Sequence, residues 1–173
     1  RYGSPKQLLP YNGNSLLQHS ICETIKTEVN CVMVVLGANA GILEKEIDKS
    51  NVTIVENKEW QEGMASSIRA GLSKFLEIIP QAEAAIFLVC DQPFLNAALL
   101  NQLIEKHSKT GKPIIAANYG DTIGTPALFH KSIFNDLMKL KGDTGARKII
   151  QQHKEEVETI SFPMGSVDIN KKE

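Results

Sequence analysis

Ala84–Cys90 (Ala-Ala-Ile-Phe-Leu-Val-Cys) carries no polar side chain, and it is halted by Asp91 and then by Pro93. A short apolar run of this kind, stopped by a turn signal, suits a strand buried on both faces, the habit of parallel sheets flanked by helices. Cys31-Val32-Met33-Val34-Val35-Leu36, closed by Gly37, repeats the pattern. Further strands are predicted at Val52–Val55, Pro113–Ala117, Ala127–Phe129 and Val157–Phe162. Between them lie helical spacings: one capped by Ser15 and running to about Glu28, a short one over Asn39–Asp48, an amphipathic one over residues 64–79 ended by Pro80, and Asn96–Lys109 ended by Gly111 and Pro113. Two shorter helices are expected near Ser132–Lys139 and Thr144–His153. Strands separated by helices imply a three-layer α/β fold with a mostly parallel central sheet. No repeat, linker or low-complexity tract divides the 173 residues, so a single domain over 1–173 is expected.

Charge narrows the function. The net charge of −1 offers no broad attraction to nucleic acid or to an anionic membrane, so any phosphate must be met by a local cluster of cations. No apolar run approaches the ~18 residues of a membrane-spanning helix. Cys22, Cys31 and Cys90 form neither a paired framework nor a metal-ligand spacing. Cys31 and Cys90 read as small buried hydrophobes, and a reducing cytoplasm fits. The four histidines are scattered and suggest no metal site.

Ligands of open α/β sheets bind at the carboxyl ends of the strands, which directs attention to particular residues. Asp91 is delivered there by the most apolar strand. Its spacing admits two roles: an oxygen ligand for Mg²⁺, or a cap for the helix that starts near Asn96. Arg1, Gly3 and Lys6 place two cations around a flexible backbone point, which suits an anion and equally suits a solvated terminus. Gly63 and Ser67 bracket a helix start, where amides are open to a ligand or Ser66 simply caps the helix. Trp60 can stack on a ligand or anchor packing. Arg147 presents a fork that matches phosphate, or it is an exposed helix residue. Asp168, beyond the last strand, reads by itself as a solvated acid.

Several segments in order resemble the MobA-like nucleotidyltransferase family: Arg1-Tyr2-Gly3-Ser4-Pro5-Lys6, Trp60-Gln61-Glu62-Gly63-Met64-Ala65-Ser66-Ser67-Ile68, Cys90-Asp91-Gln92-Pro93-Phe94-Leu95, Gly124-Thr125-Pro126, Gly142-Asp143-Thr144-Gly145-Ala146-Arg147 and Val167-Asp168-Ile169-Asn170. Gln7-Leu8-Leu9-Pro10 is similar to the molybdenum cofactor cytidylyltransferase branch. The resemblance implies a Rossmann-like nucleotidyltransferase fold and Mg²⁺-dependent transfer of CMP from CTP to a phosphorylated small acceptor, a molybdopterin-type cofactor, with release of pyrophosphate. It implies Lys6 and Arg1 as catalytic phosphate cations, with Gly3, Gly63 and Ser67 also at the nucleotide. Thr125 and Arg147 would face the acceptor, and Asp91 and Asp168 would hold the metal. A molybdenum hydroxylase is the expected recipient of the product; nucleic acid and membrane are not expected partners.

Two departures stand out. Related members often carry His where Thr125 stands, and the family's Thr-Pro-Glu-Asp after the last motif is replaced by Lys171-Lys172-Glu173. The chain enters the family's glycine-rich loop at its Arg. The resemblance therefore implies a central first strand ahead of Arg1, without which backbone groups in the core would go unpaired. Other readings are the same chemistry on a sugar phosphate or methylerythritol phosphate, and a non-catalytic module that binds cofactor and delivers it to a molybdenum hydroxylase.

Overall fold

The computed structural model describes residues 5–167. After a 3-10 turn at Lys6–Leu8, β1 (Pro10–Tyr11) and β2 (Asn14–Ser15) form a small antiparallel hairpin. Its turn residues, Asn12 and Gly13, have φ of 48° and 79°. A two-residue hairpin turn of type I′ requires positive φ at both positions, and Asn-Gly tolerates it best. Ser15 then caps α1 (Leu16–Ile25), its hydroxyl accepting from the Gln18 amide at 3.1 Å, the role its sequence position predicts. The helix ends at Ile25, before the expected Glu28.

β3 (Met33–Leu36) and β4 (Thr53–Glu56) pair in parallel across a crossover that contains α2 (Ala40–Leu43). The remaining elements are α3 (Met64–Ile78), β5 (Ala84–Phe87), α4 (Ala97–Thr110), β6 (Ile114–Asn118), β7 (Ile123–His130), α5 (Phe134–Met138), α6 (Ala146–Gln152) and β8 (Val157–Ser161). Four of these strands form a sheet in the order β5-β7-β6-β8, and β3-β4 form a separate pair among the described residues.

The expected mostly parallel sheet is corrected to a mixed one. β7 runs antiparallel to both β5 and β6, while β6 and β8 are parallel. The cause is local. A tight turn joins β6 to β7, with the Tyr119 amide donating to the Thr122 carbonyl at 3.0 Å and Gly120 at φ 91°. So short a connection reverses the chain, whereas a parallel partner needs a long crossover. β7 is also longer than the predicted Ala127–Phe129. Its register slips between Ala116 and Ala117 of β6, which face Ala127 and Gly124. Thr125 and Pro126 thus fall in a bulge, where a proline takes no donor from the ladder.

Helices cover both faces. Along β6, Ile114 and Ala116 face a core built with Leu72 of α3, Leu137 of α5 and Ile149 of α6, while Ile115 and Ala117 face Leu99 and Leu103 of α4. This two-residue alternation, buried on both sides, is why the segment contains no polar residue before Asn118. Phe129 on β7 is fully buried in the first core, and truncating such a side chain to Ala costs about 3–5 kcal/mol. A third core packs Leu17 and Ile21 of α1 and Leu43 of α2 against Val34 and Leu36 of β3. α3 reaches both sheets. Gly71 sits against β3, where a Cβ would lie 2.8 Å from Val35 Cγ2. Expected as a strand buried on both faces, β5 is half-buried along its length, and among the described residues it forms an edge of the four-stranded sheet. Among the described residues, no helix is long and apolar enough to cross a membrane.

Candidate active site

β5, β6 and β8 point the same way, and the start of β7 lies beside the end of β6, where Ile123 pairs with Asn118. Asp91 emerges at this edge shortly after β5, half-buried. Next to it, Gln92 is turned inward and only 6% exposed. Its Nε2 donates to the Thr125 carbonyl and to the Gly165 carbonyl, each at 3.0 Å. The bulge in β7 makes the first bond available, because a bulged residue leaves the ladder. Gln92 Oε1 is the one buried side-chain nitrogen or oxygen without a partner among the described residues. The cap of α4 is Asn96, whose side chain accepts from the Leu99 amide at 2.9 Å, so the capping role open to Asp91 on spacing alone is filled by another residue.

Burial, and secondarily the charge of Asp91, push the Cys90 thiol up to about 11. The thiol therefore stays protonated at neutral pH, although Cys90 is half-buried rather than the buried hydrophobe expected, and Asp91 is the hard oxygen donor of the pair. Among the described residues, no group of three or more His, Cys, Asp or Glu is placed to hold a metal ion. A carboxylate such as that of Asp91 fits a cation that takes one or two protein oxygens and completes its shell with substrate phosphates and water, as Mg²⁺ does.

Tyr119, at the end of β6, joins this edge without having been anticipated from sequence. Its ring meets Phe162 edge-on at 6.3 Å between centroids. Two glycines make room for it: a Cβ on Gly124 would lie 2.5 Å from its hydroxyl, and one on Gly165 would lie 2.6 Å from Cδ1. Burial raises its phenol above the ordinary value, with Arg147 opposing and Asp91 reinforcing the shift. Tyr119 therefore feels the charges of both Asp91 and Arg147. Arg147 is exposed on the first turn of α6.

The start of α3 forms the neighbouring wall. Gly63 has φ 119°, and a Cβ there would come 2.7 Å from both Asp143 Cα and the Gly142 carbonyl oxygen. Backbone fit alone thus requires glycine at this position. The early amides of α3 are not all open, because Ala65 N–H donates to Gly142 and Ser66 N–H to Gly63. Ser66 is not the cap, and its hydroxyl donates to the Gly63 carbonyl at 2.8 Å. Buried Asn57, a second residue missed from sequence, donates from Nδ2 to Ser66 Oγ at 2.8 Å and to Ser67 Oγ at 3.0 Å. Arg69 grips Glu62 with two bonds and donates to the Leu140 carbonyl at 2.6 Å, while Glu62 accepts from the Gly142 amide. These contacts, the Arg69 bonds foremost, hold the Glu62 carboxyl down at about 2. The motif around Gly63 and the motif around Gly142 are in this way clamped together.

Lys6 is exposed. Leu8, in the same turn, and Cys90, the residue before Asp91, pack against one shared core cluster. Trp60 is 43% exposed, with its Cβ pressed toward Gly37 at the end of β3. Arg1, Gly3 and Asp168 lie outside the described residues.

Residues 1–157 match the MobA-like NTP transferase domain family. A curated relative, named nicotine blue oxidoreductase, from Paenarthrobacter nicotinovorans, is 28% identical over 158 residues, which span 86% of this chain and 74% of that one. The structure of Rv0371c from Mycobacterium tuberculosis H37Rv is similar at 26% identity and a TM-score of 0.77, covering 94% of this chain and 82% of that one. A manganese complex of Rv0371c aligns at 24% identity and a TM-score of 0.74, covering 91% and 81%. A Methanothermobacter nucleotidyl transferase shares the fold, with 20% identity and a TM-score of 0.78 over 95% of this chain and 79% of that one.

Proposed function

The chain belongs to the MobA-like NTP transferase domain family, and from that premise we propose that it moves CMP from CTP to a phosphorylated small acceptor, a molybdopterin-type cofactor, and releases pyrophosphate. The observation that supports this most is the half-buried carboxylate of Asp91 just beyond β5, next to Gln92, whose side chain bonds the Thr125 and Gly165 carbonyls. Asp91, with Asp168 as second ligand, would hold Mg²⁺, which would neutralise charge on the triphosphate. The manganese complex of the mycobacterial structure, a property of that protein, is in keeping with a divalent ion.

An acceptor phosphate oxygen attacks the α-phosphorus of CTP. A new P–O bond forms as the bond from that phosphorus to the bridging oxygen breaks, and pyrophosphate leaves with the electron pair. Because the acceptor phosphate is already anionic, no general base is required. Lys6 and Arg1 stabilise charge that shifts onto the phosphate oxygens. Gly3, Gly63 and Ser67 line the nucleotide, and Thr125 and Arg147 the acceptor. Ser4-Pro5-Lys6-Gln7 is similar to the cytidylyl branch and supports CTP. The product then passes to a molybdenum hydroxylase.

Pyrophosphate release measured with CTP and with GTP, each beside a molybdopterin-type acceptor, tests the proposal. Faster release with CTP supports it, and a preference for GTP overturns the branch. Release with a sugar phosphate or methylerythritol phosphate in place of the cofactor would reassign the acceptor. Substrate reduction independent of any NTP would transfer the chain to the redox chemistry named for the Paenarthrobacter relative.

A further inference from the structure

We propose that Gln92 is a positioning residue of this site, holding the Asp91 segment in fixed register with the β7 bulge and the loop after β8. The inference rests on Asp91 as a metal ligand and deepens that reading. Gln92 spends both amide hydrogens on backbone carbonyls, and those carbonyls, at Thr125 and Gly165, come from segments 33 and 73 residues away in sequence. Reversing the amide would set its oxygen against two carbonyl oxygens, so the partners fix its orientation.

Packing alone does not account for this residue. The orientation strands Oε1 in the interior without a donor, a loss that an apolar side chain of similar size avoids. What an apolar side chain lacks is a nitrogen with two hydrogens. Three segments converge on that nitrogen. One carries Asp91, and another carries Thr125 beside Gly124 and the Tyr119 hydroxyl. The third is the Gly165 loop, beyond which the chain runs on to Asp168. A carboxylate on a segment tied in this way is already ordered when the cation arrives; hydrogen bonds made directly to a ligand change metal affinity about 10–100-fold when removed, and Gln92, which acts through backbone, is expected at the lower end of that range.

The test is Mn²⁺ binding to the full chain, read from the loss of the free-ion electron paramagnetic resonance signal. The proteins compared are wild type, Gln92→Met, Gln92→Asn and Asp91→Asn. Met keeps the volume without the donors, and Asn keeps an amide too short to reach both carbonyls, so the second serves if the first does not fold. Circular dichroism establishes folding in each. The expected result is Mn²⁺ affinity about 10-fold or more below wild type in folded Gln92 variants, with turnover restored by saturating Mg²⁺ in these variants but not in Asp91→Asn. Wild-type Mn²⁺ affinity in the folded Gln92 variants, with binding lost in Asp91→Asn, overturns the role of Gln92 alone. Unchanged affinity in Asp91→Asn overturns the metal reading and this inference together.

Discussion

Replacing Gly63 by Ala should destabilise the protein far more than the same change at Gly111. At Gly63 the backbone sits at φ 119° and ψ −170°, a region open to glycine almost alone, and forcing another residue into it costs about 1–3 kcal/mol. The new methyl would also stand 2.7 Å from Asp143 Cα and Gly142 O. These are backbone atoms that cannot swing aside, and overpacking of this kind adds about 1–3 kcal/mol. The two terms together give about 4 kcal/mol, a drop in melting temperature of roughly 8–16 °C for a chain of this size. Gly111, the C-cap of α4 at φ 66°, has no heavy atom within 4 Å of the position a Cβ would take. Only the left-handed penalty of about 1–2 kcal/mol applies there. Urea unfolding of both variants, with equal slopes, gives the comparison directly. Equal losses at the two sites would refute the argument that the Gly142–Asp143 backbone makes glycine obligatory at position 63.

Lys6→Ala should lower turnover more than it weakens nucleotide binding, by a factor equivalent to about 3 kcal/mol, as for one oxyanion donor; steady-state kinetics beside direct CTP binding would show it, and unchanged turnover with weaker binding would make Lys6 an anchor only. His153 bonds Glu156 at 2.6 Å and Asp136 at 2.9 Å, and its pKa is raised above 6.5 chiefly by Glu156. Its stabilisation is therefore complete below pH 6.5 and fades as pH rises through the raised value, a dependence that His153→Gln should flatten in melting curves taken from pH 6.5 upward. Glu62 has its pKa depressed from 4.5 to about 2, so its contribution is present above 4.5 and lost as pH falls toward 2. The stability gap between wild type and Arg69→Ala should close over that acidic window.

The layered architecture is legible in the sequence because β6 alternates between two cores with no polar interruption, and because Ser15 stands where a cap must. The full length of β7 is not, since the strand signal begins at Ala127, after Pro126. Only the pairing with β6 turns Thr125-Pro126 into a bulge that continues the strand. Asn12-Gly13 does carry a local hairpin signal. Asp91 can be singled out because a strand delivers it and a proline follows. Gln92, Asn57 and Tyr119 cannot be given roles from sequence, because each acts through partners distant along the chain: Gly165, Ser66 and Gly124 among them. Gly63 stands out as a ligand-facing glycine, yet the demand on it from the Gly142–Asp143 backbone exists only once the two motifs are folded against each other.

The most direct test of the central claim is Mg²⁺-dependent pyrophosphate release from CTP and a molybdopterin-type acceptor by wild type and by Asp91→Asn, at saturating Mg²⁺ and with folding verified. If Asp91 holds the ion against the triphosphate, the variant should be about 10²–10³-fold slower, the cost of several kcal/mol of lost charge stabilisation. Turnover equal to wild type would contradict the assignment of the metal to Asp91 and, with it, the chemistry proposed for this edge of the sheet.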